Sequence, residues 1–378
     1  MNTPRPSCST PRRVWLDISL DTLRTNYRHI ARAVSPCAVM AVLKANAYGL
    51  GVRPIAGALA HEGVAAFGVA EPHEAFALLD LGIPIHILGS VLPDEIPELV
   101  AVGVVLPVTD LDTARAVSRE AVRQGRTATV HFKVDTGMGR LGMLIGEAAE
   151  TIQAACRLPG LKANGIYTHF PVAYQTGSAF TREQIRRFIE LLDTLSATGL
   201  SFAQRHIANS DAVNNVPEAC HPPFNLVRTG INLHGSFDTE GMRVLDLAPV
   251  LTLKTRLTAA RTLPAGSSIG YGLSYRLPQA TRVGTISAGY ADGLPLALSN
   301  RGHVLIRGVP CPILGRLSMD YTTVSLEQVP DAAVGDEVVC LGGEGPMAIT
   351  VEDWAHLKNT HPYEIICSLG SRVERRYR

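Results

Sequence analysis

Residues 38–49 read AVMAVLKANAYG: six apolar side chains, then Lys44, a turn of small residues with Asn46 and Tyr48, and Gly49. So short an apolar run, followed by a polar turn and an amphipathic stretch from Pro54 to Glu62, reads as a buried parallel strand feeding a helix. The same phrase recurs. Apolar runs at Ala38 to Leu43, Ala65 to Ala70, Ile83 to Leu88, Val102 to Val108, Thr129 to Val134, Ala163 to His169, Phe202 to Ala208 and Phe224 to Ile231 make eight. Between them, Pro54 to Glu62, Pro72 to Leu81, Leu111 to Arg123, Glu147 to Arg157 and Thr181 to Thr198 space their apolar residues three or four apart, as helices with one buried face do. Val213 to Cys220 carries the weakest such pattern. Eight βα units in about 210 residues predict an α/β fold, a (β/α)8 TIM-like barrel, with a doubly wound open sheet as the alternative.

Outward from this core the pattern changes. Residues 1–13 are polar, proline-rich and basic, and are expected to form a loose, disordered tail. They lack the apolar stretch of a secretory signal. Val14 to Ser19 reads as a strand, with Asp21 placed to cap the helical pattern that runs to about Val34. From about Leu247 the chain becomes short strands bounded by glycine and proline, among them VLTLKTRLTAA, TRVGTISA, GHVLIRG, CPILGRL, YTTVSL and DEVVCLG, with one helical stretch at Val351 to Lys358. The expected division is therefore a barrel over 14–246 and a β-rich C-terminal domain over 247–378.

Thirty-five basic and 34 acidic side chains nearly cancel, so no overall field favours nucleic acid or an anionic membrane. A small neutral or zwitterionic partner fits better. Seven cysteines with no close pair argue against a zinc or redox motif and for reduced thiols in a cytoplasm.

In a barrel, chemistry gathers on the loops after the C-terminal strand ends. Lys44 follows the first run, where partial desolvation would favour a neutral, nucleophilic amine. Lys133 and Arg140 flank the turn after the fifth, His169 ends the sixth, Asn209 and Ser210 follow the seventh, and Arg228 and Gly230 belong to the eighth. The N–H groups of Gly230 and Ile231, the Ser210 hydroxyl and a tyrosine can together hold a phosphate without a nucleotide-binding glycine loop. A lysine beside a phosphate site suggests a covalently held aldehyde cofactor.

The stretch from Val42 to Gly49 resembles the cofactor-lysine motif of bacterial alanine racemases. Asp135 to Gly142 (DTGMGRLG), Tyr167 to Phe170, Ala208 to Ser210, Gly270 to Gly272, Gly289 to Gly293, Ser318 to Asp320 and Pro362 to Ile365 follow in that family's order across nearly the whole chain. The resemblance implies a PLP-dependent isomerase that interconverts L- and D-alanine, with Lys44 holding pyridoxal 5'-phosphate. Tyr48, Ser210, Gly230, Ile231 and Tyr363 would surround the phosphate, and Arg228 would face the pyridine nitrogen. Lys44 and Tyr271 would be the two catalytic bases on opposite faces of the substrate, with His169 relaying between Tyr271 and Arg228. Arg140 would take the substrate carboxylate, beside a carbamylated Lys133. Tyr271, Met319 and Tyr290 would come from the second subunit of a homodimer, the last two lining the substrate pocket and its entrance.

The sequence departs from the family pattern at Leu50, Thr229 and His234, where histidine, proline and tyrosine are common, and after Phe170, where an Ala-Asp pair is missing. A decarboxylase of basic amino acids pairs a similar barrel and β domain, but typically places an acidic residue at the pyridine nitrogen, where this chain has Arg228. A non-catalytic cofactor-binding protein would resemble the barrel alone. Within racemases, serine-preferring or broad specificity is the alternative to alanine.

Overall fold

The structure is a computed structural model and describes residues 11–378. The expected tail lies mostly outside these residues. Its end does not: Arg12 donates to the carbonyls of Ser371 and Arg372, and the Arg13 carbonyl accepts from Thr255. The described chain forms two compact units, Leu20–Val250 and residues 11–19 with Leu251–Arg378.

The first unit contains the eight strands that the repeated phrase predicts: Ala38–Val42, Ala66–Val69, Ile85–Ile87, Leu106–Val108, Ala128–Asp135, Leu161–Tyr167, Gln204–His206 and Leu226–Thr229. Their ladders are parallel, and the eighth strand pairs with the first, Leu226 opposite Ala38. Two seams close the ring. The Ile87 N–H donates to the Val105 carbonyl and the Val105 N–H to the Ile85 carbonyl, joining strands three and four. The N–H groups of Asn225 and Arg228 reach the carbonyls of Arg205 and Ala208 across strands seven and eight. A closed parallel barrel replaces the open-sheet alternative, because no edge remains among these eight strands.

The predicted helices appear at Val52–Ala60, Pro72–Phe76, Leu111–Arg123, Ile145–Cys156 and Ala179–Ala197. Each buries an apolar stripe; Leu111–Arg123 buries Ala114, Val117 and Ala121, and Asp110 caps it by accepting from the Thr113 N–H. The stretch from Val213 to Cys220 resolves into a helix over Ser210–Asn215 and a 3₁₀ turn over Pro217–Cys220. One barrel helix is not evident from the sequence pattern. Ile96–Val102 is seven residues long, too short to show a full apolar repeat, and its last residue was assigned to the fourth strand. Asp21 lies inside the first turn of Leu20–Ala33, paired with Arg24, rather than capping it.

The N-terminal strand corrects the predicted boundary. Trp15–Ile18 is paired antiparallel with Leu251–Leu263 and parallel with Glu374–Tyr377, so it belongs to the sheet of the C-terminal unit and not to the barrel region. Leu16 and Ile18 are fully buried there. Partners more than two hundred residues away set this assignment, and local periodicity carries no trace of them. The same unit contains the predicted strands at Thr281–Ile286, His303–Ile306, Thr322–Ser325 and Glu337–Leu341 and the helix Val351–Lys358. Within CPILGRL the strand sits earlier, at Val309–Pro312. Among the described residues no helix is long and apolar enough to cross a membrane.

Candidate functional site

The strand ends of the barrel converge on one mouth. After the first strand, Ala45, Asn46, Ala47 and Tyr48 all take positive φ, between 52° and 60°, forming a left-handed turn. Each such non-glycine residue costs on the order of 1 kcal/mol, so the turn persists only because its surroundings hold it. Gly49 donates back to the Ala45 and Asn46 carbonyls, the Asn46 side chain accepts from the Val52 N–H, and Glu74 accepts from the Ala45 N–H. The turn exposes Lys44 and buries Tyr48. The expected desolvation of Lys44 is therefore absent from the single chain.

Gly230 is a steric requirement of this arrangement. A Cβ there would stand 2.0 Å from the Tyr48 hydroxyl, so only glycine lets the phenol approach the eighth strand. Asn209 caps the helix Ser210–Asn215 through the Ala212 N–H and so fixes Ser210 at its start. The Gly230 N–H donates to Ser210 Oγ at 3.0 Å; it orients that hydroxyl instead of facing the mouth as a free donor. Thr229 Oγ1, in place of the proline common in the resembled family, lies 3.4 Å from the same hydroxyl.

Arg228 is buried, with no carboxylate partner among the described residues. Its NH1 bonds the His206 carbonyl and Nδ1, and its NH2 bonds the Thr168 carbonyl and His169 Nδ1. Burial lowers its pKa to about 10, which leaves it charged at neutral pH. Its Nε makes no hydrogen bond among the described residues. His169 is held well below the usual histidine range by burial and by the charges of Arg228, Arg140, Lys133 and Lys44. The histidine after the sixth strand thus stands neutral among four basic side chains. Lys133, bonded to the Leu88 carbonyl at 2.8 Å, is lowered to about 7 by burial and by Arg228, Arg140 and Lys44.

Asp135 organises the next loop. Burial disfavours its charge, but its oxygens accept from the backbone N–H groups of Gly137, Met138, Gly139 and Arg140, and the net effect lowers its pKa. This carboxylate is spent on the loop that carries Arg140. Gln184 ties the same loop to the sixth strand end by donating to Thr136 Oγ1 and the His169 carbonyl. Neither role was visible in the sequence, nor was that of His206 under Arg228, because each depends on contacts between distant segments. Of the departures, Leu50 and His234 are fully buried, and the His234 ring meets Tyr48 edge-on at 5.3 Å.

The C-terminal unit positions Tyr271, Tyr290 and Met319 along one segment. Gly270, with φ 72°, sits so close to the Arg316 backbone that a Cβ would lie 2.9 Å from it. Tyr290 and Ala291 donate to the Ser318 and Met319 carbonyls. Tyr271, Met319 and Tyr290 are 71%, 52% and 46% exposed. Tyr363 lies half-buried in Pro362–Cys367, a helix too short to show an apolar repeat in the sequence.

A cationic mouth, a hydroxyl pair beside a glycine that cannot be replaced, a lysine on a constrained turn and a free guanidinium Nε fit a group bearing a phosphate, an aldehyde and a basic ring nitrogen. These features define a class: barrel enzymes that bind pyridoxal phosphate at the C-terminal strand ends, with a separate β unit.

Comparison with known proteins narrows the class. Residues 18–237 match the family described as alanine racemase, N-terminal domain, and residues 250–377 match alanine racemase, C-terminal domain. The chain is 39% identical over 370 residues to an alanine racemase of Desulforamulus reducens, covering 96% of this chain and 98% of that one. Similar structures include alanine racemase from Clostridium difficile 630 (TM-score 0.90, 30% identity, 98% and 97% of the two chains). Another is that of Bartonella henselae with covalently bound pyridoxal phosphate (TM-score 0.87, 28% identity, 97% and 100%). The chain belongs to the alanine racemase family.

Proposed function

We propose that the protein interconverts L- and D-alanine, with pyridoxal phosphate as cofactor and Lys44 and Tyr271 as the two acid–base groups. The supporting observation is the barrel mouth, where Lys44, Lys133, Arg140 and Arg228 surround a neutral His169. Lys44 would hold the cofactor through its amine. Tyr48, Ser210, Gly230, Ile231 and Tyr363 would surround its phosphate, and Arg228 would face its ring nitrogen. When bound, the cofactor supplies delocalisation for the electron pair left on the α-carbon.

The protein's own groups do the rest. Racemisation requires a proton to leave one face and arrive at the other, so the Lys44 amine serves one face and the Tyr271 phenol the opposite one. Arg228 stays protonated and donates without giving up its proton, which limits charge delocalisation and favours prompt proton return to carbon. Since Arg228 donates to His169 Nδ1, the His169 Nε2–H is the donor available to steady the Tyr271 oxygen. Arg140 takes the substrate carboxylate. With its pKa near 7, a large fraction of Lys133 is the neutral amine that adds carbon dioxide, losing a proton to give a carbamate beside Arg140.

Tyr271, Leu273, Tyr290, Met319 and Tyr321 are exposed large side chains of the C-terminal unit, and a second copy is their proposed cover. In such a homodimer Tyr271, Met319 and Tyr290 enter the partner's barrel, with Tyr363 leaving little room for a substituent larger than methyl. Cys37, Cys156, Cys220, Cys311 and Cys340 are free thiols, in keeping with a cytoplasmic location. A guanidinium, Arg228, at the position proposed to face the ring nitrogen, where a decarboxylase typically has an acidic residue, disfavours the decarboxylase reading.

Purified protein incubated with L-alanine and cofactor should yield both enantiomers on chiral analysis, faster than with serine. No D-alanine from cofactor-loaded protein would refute the function, and equal serine rates would refute the specificity. Lys44→Ala should abolish the visible cofactor absorbance. Mixing inactive Lys44→Ala and Tyr271→Phe proteins should restore activity if sites are shared, and no recovery in demonstrated mixed dimers would refute sharing.

A further inference from the structure

A single carboxylate links the first two barrel strand ends directly beside Lys44. Glu74 stands on the short helix Pro72–Phe76, which begins two residues after Ala70. One of its oxygens accepts from the Ala45 N–H, and the other accepts from the Ala70 N–H at 2.8 Å. Ala45 is the first residue of the left-handed turn, and its N–H belongs to the peptide bond formed with the Lys44 carbonyl. At the far end, the turn is held by the Asn46 side chain and the Gly49 and Gly51 N–H groups. Glu74 is the side chain that holds its beginning.

From this geometry we propose that Glu74 is a positioning residue for the cofactor, fixing Lys44 and, through the same turn, Tyr48. The inference rests on the reading of Lys44 as the cofactor lysine. Both carboxylate oxygens act as acceptors, so an amide of the same shape cannot replace them: one of its ends is a donor, and it would face a backbone N–H. Without the clamp the strained turn relaxes, and Lys44 and Tyr48, four residues apart on it, lose their joint alignment. Charge-assisted hydrogen bonds of this kind are worth enough that losing one weakens a dependent binding step about tenfold or more.

The test uses E74Q and E74D in the full-length protein. Each variant is stripped of cofactor and titrated with pyridoxal phosphate, with binding read by absorbance and the folded state by melting of the stripped protein. The expected result is cofactor affinity weakened about tenfold or more in E74Q, KM for alanine little changed, and melting close to the parent. E74D, one methylene shorter, should span only one N–H and fall between. Amide exchange of the parent gives a second measurement that needs no variant: the Ala45 and Ala70 N–H groups should be protected. Unchanged cofactor affinity in folded E74Q, or fast exchange at both amides in the parent, overturns the proposal. Borohydride reduction of the loaded parent and peptide mapping separates the two readings. A label away from Lys44 defeats the underlying assignment; a label on Lys44 with unaltered E74Q defeats only the role of Glu74.

Discussion

Acidification probes the barrel interior directly, because five of its histidines are held neutral by burial. His86 and His234 are lowered from 6.5 to about 4, and His131, His169 and His206 lie well below 6.5. The unfolded chain protonates these rings as the pH falls through 6.5, while the folded chain does not follow until about 4 for the first two. Their contribution is therefore present above the unfolded value and lost as pH falls through that window. Going from about pH 7 to about pH 5, each such histidine removes about 2 kcal/mol of stability, and His86 with His234 about 4 kcal/mol. That is a large share of a typical folding free energy of roughly 5–15 kcal/mol. Urea unfolding followed by far-ultraviolet circular dichroism, at fixed cofactor saturation, should show it. The double variant His86→Leu, His234→Phe removes both rings. Both His234 nitrogens lack partners, so its loss strands none, and the variant should shrink the pH 7 to pH 5 difference by about 4 kcal/mol. An unchanged acid slope in that variant, or histidine resonances for these two rings titrating near 6.5, would refute the reasoning.

Gly230→Ala drives a methyl into the Tyr48 hydroxyl, so cofactor affinity should drop at least tenfold by equilibrium dialysis, by about the energy of a lost buried hydrogen bond. An affinity equal to the parent would show that Tyr48 does not serve the phosphate. Protein grown with ¹³C-bicarbonate should show a carbamate carbon resonance that vanishes in Lys133→Gln, and no such resonance from the folded parent at neutral pH would refute the modification. Tyr271→Phe should slow exchange of the α-proton with solvent more for one alanine enantiomer than for the other, and equal small effects would reject the two-base reading.

The fold was largely legible because a parallel barrel writes itself locally: most of its strands are buried on both faces and lie in short apolar runs, although Gln204–His206 is polar, and the longer helices show a 3.6-residue stripe. What failed to show was either too short or too distant. Ile96–Val102 spans fewer than two full turns' worth of usable repeat, and Trp15–Ile18 takes its neighbours from Leu251–Leu263 and Glu374–Tyr377. The site residues were legible at strand ends, where a charge after an apolar run is conspicuous, and through the family resemblance. Their supports were not. The sequence around Glu74 gives no hint that it meets Ala45, and the left-handed turn after Lys44 contains alanines and asparagine where glycines would have announced it.

The supports beneath Arg228 show why a guanidinium, rather than a lysine, suits this place in the barrel. Its NH1 faces His206 Nδ1 at 2.8 Å and can only donate, so His206 must accept there and carry its proton on Nε2. That proton points at His131 Nδ1, 3.0 Å away, which fixes the His131 proton on its own Nε2. The next neighbour is the Asn164 side-chain amide at 3.4 Å, which must then turn its oxygen toward the His131 Nε2–H. Asn164 is available for this because it is the bulge residue of its strand, skipped between the pairs Val130–Ala163 and His131–Gly165. Gly165 makes the space, since a Cβ there would lie 2.4 Å from the His131 ring. One permanently charged fork thus sets the tautomers of two buried histidines in series. On its other arm it sets that of His169, the ring whose remaining proton is directed toward Tyr271 in the proposed mechanism. A lysine has a single nitrogen and could not reach both arms in fixed directions, so the orientation of every proton in this chain follows from the planar geometry of Arg228.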